Sequence, residues 1–312
     1  MSLPIPPDLA PSMAAHLAAQ DGPVDPPHEA VVVAVSRALA EDLEPDGDLS
    51  AVLVPEGAVT RGALVARSAG VLAGSACVTE AFHQVDPSIE VTWRRVDGDP
   101  VDVGGVLADV TGPLAPVLTA ERTALNFLGG LSGIATETAR WVAATAGSAR
   151  VWDTRKTTPG LRALEKAAVR AGGGTNHRHN LSHWVMLKDN HLTGTDILGA
   201  VESSRSRWPG RTVHVECETL DQVHQSLEAG ADALLLDNMT PAQVRACVDE
   251  VRAHAARHGV RPLVEASGGI TLAVVAEYAA TGVDCISSGV LTNAAPALDV
   301  GLDLPKAEIP CC

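Results

Sequence analysis

From Arg150 onward the chain settles into a rhythm that few architectures can accommodate. Short apolar runs recur, and each ends on a polar residue or glycine: Val151–Asp153, Val185–Lys188, Val213–Glu216, Ala233–Asp237, Leu263–Ser267 and Cys285–Gly289. Between them lie stretches with helical spacing of apolar residues, including Leu220–Ala229, Pro241–His258 and Leu272–Thr281. The closing residues fall 21 to 35 positions apart, the length of one strand plus one helix. Continuously apolar strands belong to parallel sheets covered on both faces. Such a segment folds as a doubly wound sheet or as a β/α barrel, and in both the carboxyl ends of the strands carry the site. No GxGxxG follows the first strand, and the closing residues converge best on one polyanionic ligand, so the barrel is favoured.

The first half has a different texture. His28–Glu44 has helical spacing and stops at Pro45-Asp46-Gly47. Gly62–Arg67, Gly70–Val78, Ile89–Val96 and Val106–Val110 read as short strands, and Pro113–Gly147 as a helix with Thr119 as a cap inside it. This is a small α+β domain with a helix leading out of it. The Pro-rich start, residues 1–27, lacks a basic head and compact apolar run, so it reads as a loose arm draped over a neighbouring subunit rather than a signal peptide.

Composition narrows the partners. Hydrophobic residues make up 46% of the 312 but aromatics only 3%, so the core must be built from Ala, Val and Leu. The net charge of −15 argues against nucleic acid or an anionic membrane as a general partner. No stretch is long and uncharged enough to span a bilayer. The six cysteines show no CxxC pair; Cys217 and Cys285 lie within apolar runs as small buried residues, and the setting reads as reduced and cytoplasmic.

Against that acidic background, Arg150–His191 holds eight Lys or Arg and three acids, a local excess of five positive charges. A helix face with salt bridges accounts for Arg162, Lys166 and Arg170, but not for Arg155, Lys156, Arg178 and Lys188. Arg155 and Lys156 sit between a strand end and a helix expected to start at Thr158–Pro159, where a helix N-terminus favours an anion. Gly172-Gly173-Gly174 can end that helix in left-handed conformations and let backbone approach a ligand. Arg178 follows Asn176-His177, and Lys188 closes an apolar strand. Four converging cations fit a small ligand with two carboxylates, or with a carboxylate and phosphates. Glu216 and Asp237 end the next two strands and suit Mg²⁺ shared with substrate oxygens, or else salt bridges to Lys156 or Lys188. Ser267-Gly268-Gly269 and Ser288-Gly289, near a helix start at Thr271, offer amides for a phosphate. A zinc reading of His177, His179 and His183 lacks a register that joins all three.

The set Asp153-Thr-Arg-Lys-Thr, Gly172-Gly-Gly-Thr-Asn-His-Arg178 and Lys188-Asp-Asn-His191 resembles the quinolinate phosphoribosyltransferases, with further matches from Glu121 to Thr136 and around Asp237-Asn238. The resemblance implies a type II phosphoribosyltransferase: an α+β domain over residues 1–129, with 290–312 packing back on it, and an open α/β barrel over 130–289. It implies that Arg155, His177, Arg178 and Lys188 bind quinolinate, with Arg122 entering from the second subunit of a homodimer. Lys156, Glu216 and Asp237 would engage phosphoribosyl pyrophosphate and Mg²⁺; Ser267, Gly268, Gly269, Ser288 and Gly289 would take the 5-phosphate. The chain departs from the family at His214, where Glu is usual, at His183, where an acid is usual, and at Asn293, where His is usual. Alternatives are a nicotinate-type transferase, a Schiff-base lyase using Lys156 or Lys188, and a ligand-binding pseudoenzyme of the same fold.

Overall fold

The computed structural model describes residues 3–21 and 24–305, so Cys311 and Cys312 lie outside the described residues. The chain begins with α1 (Pro11–Ala18) and α2 (His28–Leu43), followed by β1 (Val59–Ala66), β2 (Gly70–Val71), α3 (Ser75–Val85), β3 (Glu90–Trp93), β4 (Pro100–Val101) and β5 (Val106–Pro113). The long α4 (Leu114–Thr145) leads to β6 (Arg150–Trp152), α5 (Arg162–Ala171), β7 (Val185–Leu187), α6 (Ile197–Arg207), β8 (Val213–Cys217), α7 (Leu220–Glu228) and β9 (Ala233–Asp237). Then come α8 (Pro241–His258), β10 (Leu263–Ser267), α9 (Val275–Ala279), β11 (Cys285–Ser287), α10 (Val290–Asn293) and β12 (Val300–Asp303).

Two compact units share these elements: residues 1–23, 140–156 and 174–290 form one, and residues 24–139, 157–173 and 291–312 the other. The first unit is built on a six-stranded parallel sheet ordered β6-β11-β10-β9-β8-β7. The sequence neighbours β6 and β7 stand at its two edges, so the barrel is open between them. Its strands are buried along nearly their whole length, as their apolar runs require. Local chemistry sets the helix ends. Thr240 and Gln243 form a capping box, Pro241 takes the first turn, and Gly259 closes α8 in the left-handed region (φ 77°).

The proline-rich arm does not drape outward. Asp8 carbonyl and Ala10 amide pair with Arg261 backbone, and Leu9, Met13 and Leu17 pack on Trp152 and on Ala233, Leu263 and Cys285, the first residues of β9, β10 and β11. The arm thus closes the amino-terminal end of its own barrel. Seven apolar or small side chains lost to water there outweigh the proline content that suggested a free segment.

The second unit holds a four-stranded antiparallel sheet, β12-β1-β5-β3, with the chain's last described strand paired to β1. Residues Gly70–Val78 do not form one strand. After β2 the backbone turns at Gly74 (φ 98°), Asp97 accepts hydrogen bonds from the Gly74 and Ser75 amides, and α3 buries Cys77, Val78, Ala81 and Phe82 on one face. Thr119 is no cap: it lies within α4, where its hydroxyl donates to Asp48 (2.8 Å). The helix after Lys156 starts at Arg162, not Thr158, because Thr158 N–H donates to the Glu165 carboxylate and Gly160 turns the chain (φ 84°). Lys166 of that helix is buried, at 2% exposure. Of the three glycines that follow, only Gly173 is left-handed (φ 82°). Gly172 serves contact instead, since a Cβ there would lie 2.3 Å from the Ala135 carbonyl of α4. α9 likewise starts at Val275, after a turn in which Thr271 carbonyl accepts from Val274 N–H.

Candidate active site

Parallel register arranges the carboxyl ends of the strands into levels. Glu216 of β8 pairs with Leu235 of β9, which pairs with Glu265 of β10. Lys188 follows directly after the Leu187–Val215 pair, which puts it beside Glu216, and its Nζ forms an ion pair with that carboxylate. One level further along, Asp237 pairs with Ser267, and Ser267 receives a hydrogen bond from Ser287 of β11 (3.0 Å). Because side chains two apart share a face, these residues all point the same way. They line one cleft of about 370 Å³ together with Thr154, Arg155, Lys156, His177, Arg178, Met186 and Leu235.

The segment carrying His177 is held by a carboxylate one strand away. Asp153, fully buried at the end of β6, accepts from the Asn176 side chain (2.6 Å) through one oxygen and from His177 N–H (2.9 Å) through the other. A buried carboxylate with two such donors is satisfied and stiff. His177 and Arg178 are themselves buried, at 6% and 8% exposure, although both reach the cleft.

Beneath them lies a cluster that strand patterning conceals. Glu265 is 0% exposed, and its Oε2 sits 3.3 Å from His177 Nε2 and 3.4 Å from His214 Nε2. The two imidazoles stack at 5.7 Å with planes 22° apart. Burial is the largest single influence and would raise the Glu265 carboxyl, yet His177, His214 and Ser287 together outweigh it and hold the group below its usual value as an anion. Burial pushes His214 down to about 3, against the pull of Glu265, so its ring is neutral. Burial also lowers the Arg178 guanidinium, and Arg155 adds to that, while Glu265 and Glu216 oppose both. Four cations in the cleft are thus set against three carboxylates, Glu216, Asp237 and Glu265. The resulting field suits a ligand that brings its own negative charges.

The strand ends on the serine side are shaped for close approach. Gly268 (φ 85°) has no room for a side chain, because a Cβ would meet the Asn238 amide nitrogen at 2.5 Å. Asn238 is itself left-handed (φ 55°), and its side chain donates to Asp237 (2.7 Å). Gly269 (φ 62°) faces open space. Of the two adjacent serines, Ser287 lines the cleft; Ser288 is buried, its amide donating to Trp152 carbonyl and its hydroxyl accepting from Val290 N–H. Gly289 follows on the same segment, before α10.

Comparison with known proteins agrees with this geometry. Residues 48–132 match the model of the quinolinate phosphoribosyl transferase N-terminal domain, and residues 134–303 that of its C-terminal domain. The chain belongs to this family. It is 40% identical over 278 residues to the nicotinate-nucleotide pyrophosphorylase [carboxylating] of Mycobacterium leprae, covering 86% of this chain and 95% of that one. The human protein of the same name is 39% identical over 264 residues, 83% of this chain and 87% of its own. The structure of the nicotinate-nucleotide pyrophosphorylase from Francisella tularensis superposes with a TM-score of 0.85 at 33% identity, covering 91% and 99% of the two chains.

Within this quinolinate phosphoribosyl transferase framework the three departures have distinct surroundings. His214 lies at the bottom of the buried cluster, where a Glu would add a second carboxylate against Glu265. His183 accepts from His179 N–H (3.2 Å) and packs on Trp184, so His177, His179 and His183 form no zinc site. The described residues contain one group spaced to hold a metal ion, and it is His177, His214 and Glu265 instead. Asn293 is exposed on α10 and Arg122 is exposed on α4, both in the second unit.

Sequence reasoning did not single out Glu265, Asn238 or Ser287 as parts of the site. For Glu265 a signal existed: a lone acid in the middle of Leu-Val-Glu-Ala is costly in a buried strand unless a partner faces it. For Asn238, an Asn directly after a strand-ending Asp is a candidate for the left-handed region.

Proposed function

We propose that the protein transfers phosphoribosyl from phosphoribosyl pyrophosphate to quinolinate, with loss of CO₂, giving nicotinate mononucleotide and pyrophosphate. The observation that carries this is the convergence of Arg155, Lys156, Arg178 and Lys188 on one cleft also lined by Glu216 and Asp237. Two guanidiniums and an ammonium match two adjacent carboxylates on a pyridine ring; nicotinate would leave part of that charge unanswered. The pyridine nitrogen attacks ribose C1 as the bond to pyrophosphate breaks. Glu216 and Asp237 stabilise the cationic ribose, and Ser267 with the amides near Gly268, Gly269 and Gly289 receives the 5-phosphate. The pyridinium then draws in the electron pair of the C2–carboxylate bond, CO₂ leaves, and the ring carbon takes a proton from water. The work of the site is positioning and charge placement, with no dedicated acid or base.

Glu216 and Asp237 are hard oxygen donors at the ends of adjacent strands, a donor set that fits Mg²⁺ held jointly with substrate oxygens. When bound, Mg²⁺ would neutralise charge on the departing pyrophosphate. Lys188 pairs with Glu216, so substrate carboxylate and cation would divide that ion pair between them.

The working form proposed is a homodimer, with Arg122 of a second copy completing each cleft. The same unit exposes Leu49, Val52, Leu53 and Val59 at 72–83%, apolar surface that a second copy would cover. The buried thiols Cys77, Cys217, Cys247 and Cys285 are free, which fits a reduced, cytoplasmic setting. Among the described residues no helix is long and apolar enough to cross a membrane. The test is product formation from quinolinate and phosphoribosyl pyrophosphate with Mg²⁺, with nicotinate in parallel. Product from nicotinate alone would move the protein to the sister activity. Quinolinate binding without product from either substrate would favour a pseudoenzyme.

A further inference from the structure

Two contacts of His177 agree on one protonation state. Its Nδ1 accepts a hydrogen bond from Arg178 N–H at 2.8 Å, so that nitrogen carries no proton. A neutral imidazole then carries its hydrogen on Nε2, which lies 3.3 Å from a Glu265 oxygen. A carboxylate anion brings no proton and repels a ring-nitrogen lone pair, so at this distance Glu265 favours the tautomer that turns N–H toward it. An uncharged amide at the same place could donate to Nε2 instead. The proton would move to Nδ1 and face the Arg178 N–H, donor against donor.

We propose that Glu265 is a positioning residue for substrate: by fixing the His177 tautomer it holds the Arg178 backbone, and with it the guanidinium that faces the cleft. The inference rests on the reading of this cleft as the quinolinate site. It also assigns His177 a different task from direct carboxylate binding, since both ring nitrogens are turned to the protein. His214 supports the arrangement from below, stacked on His177 and 3.4 Å from the same Glu265 oxygen. The trio has the spacing of a cation site, its donor atoms within 4.8 Å of one another. That use is disfavoured by the same tautomer, because a metal would need the Nε2 lone pair that the proton occupies.

Nitrogen-15 spectra of histidine-labelled, ligand-free protein read the tautomer directly, and kinetics read its consequence. The wild type is expected to show His177 protonated at Nε2. In Glu265→Gln that signature should be lost, and KM for quinolinate should rise about tenfold or more, as loss of one charge-assisted arrangement commands, while KM for phosphoribosyl pyrophosphate changes less than about twofold. Glu265→Asp keeps an acceptor-only group and should retain the tautomer with a smaller rise. His177→Asn, whose Oδ1 can accept from Arg178 N–H, should bind quinolinate better than His177→Phe; this pair serves if the Glu265 variants fail to fold. Protonation at Nδ1 in the wild type, an unchanged quinolinate KM in Glu265→Gln, or a divalent ion bound through His177 Nε2 would overturn the proposal. A wild type that does not turn over quinolinate would defeat the functional reading instead, and leave the tautomer as measured.

Discussion

His16 Nε2 donates to the Asn176 carbonyl at 2.9 Å, joining the amino-terminal helix to the residue directly before His177 and Arg178. Gln20 adds a second clasp by accepting from the Asn176 amide (3.1 Å). The arm therefore braces the substrate segment from behind. His16→Ala should cost about 1 kcal/mol of stability, the typical loss for one part-buried hydrogen bond, and raise KM for quinolinate while kcat changes little. Chemical denaturation and steady-state kinetics check both halves; a variant with full stability and unchanged KM would show the arm to be a passive plug.

Gly268 cannot accept a side chain. Its φ of 85° and the 2.5 Å approach to the Asn238 amide would force the backbone apart at the serine end of the cleft. Gly268→Ala should cost on the order of 1–3 kcal/mol and weaken phosphoribosyl pyrophosphate far more than quinolinate. Equilibrium binding of each substrate separately distinguishes this from general unfolding.

Glu216 and Asp237 should respond to substitution through Mg²⁺. In Glu216→Gln and Asp237→Asn, the Mg²⁺ concentration for half-maximal rate is expected to rise about tenfold, the effect of removing one charged ligand from a hard-cation site. A fall in rate with unchanged Mg²⁺ dependence would assign these carboxylates to the ribose cation alone.

His214 predicts the direction of acid sensitivity. Its folded pKa is about 3, below the value of an unfolded histidine, so the unfolded state binds the extra proton between those limits. Its stabilising contribution is complete above about pH 6.5 and falls as pH drops toward 3, amounting to about 3 kcal/mol lost by pH 4. His214→Gln should lose less stability between pH 7 and pH 4 than the wild type does. Equal losses in urea titrations at the two pH values would count against a neutral, buried His214.

Much of the barrel was legible in the chain. Apolar runs of three to five residues, separated by helical spacing, place Asp153, Lys188, Glu216, Asp237 and Ser267 at strand ends because parallel strands all point one way. The cations of the cleft announced themselves because a charge at the end of an apolar run is expensive without a ligand or partner. Helix starts were less legible: Thr158, Thr119 and Thr271 carry capping chemistry, but Glu165, Asp48 and a turn claimed their groups.

What the sequence alone determined is the fold class, the alternation of strands with helices and the residues at the strands' carboxyl ends, since each follows from local periodicity and the cost of burying charge. Only the tertiary structure decided what lies underneath. The Glu265–His177–His214 cluster draws on residues up to 88 positions apart, and no local pattern marks which acid meets which imidazole. The same holds for the proline-rich start of the chain, which suggested a loose arm until Leu9, Met13 and Leu17 packed against the amino-terminal end of their own barrel. Long-range burial, which only the folded chain can supply, settled both.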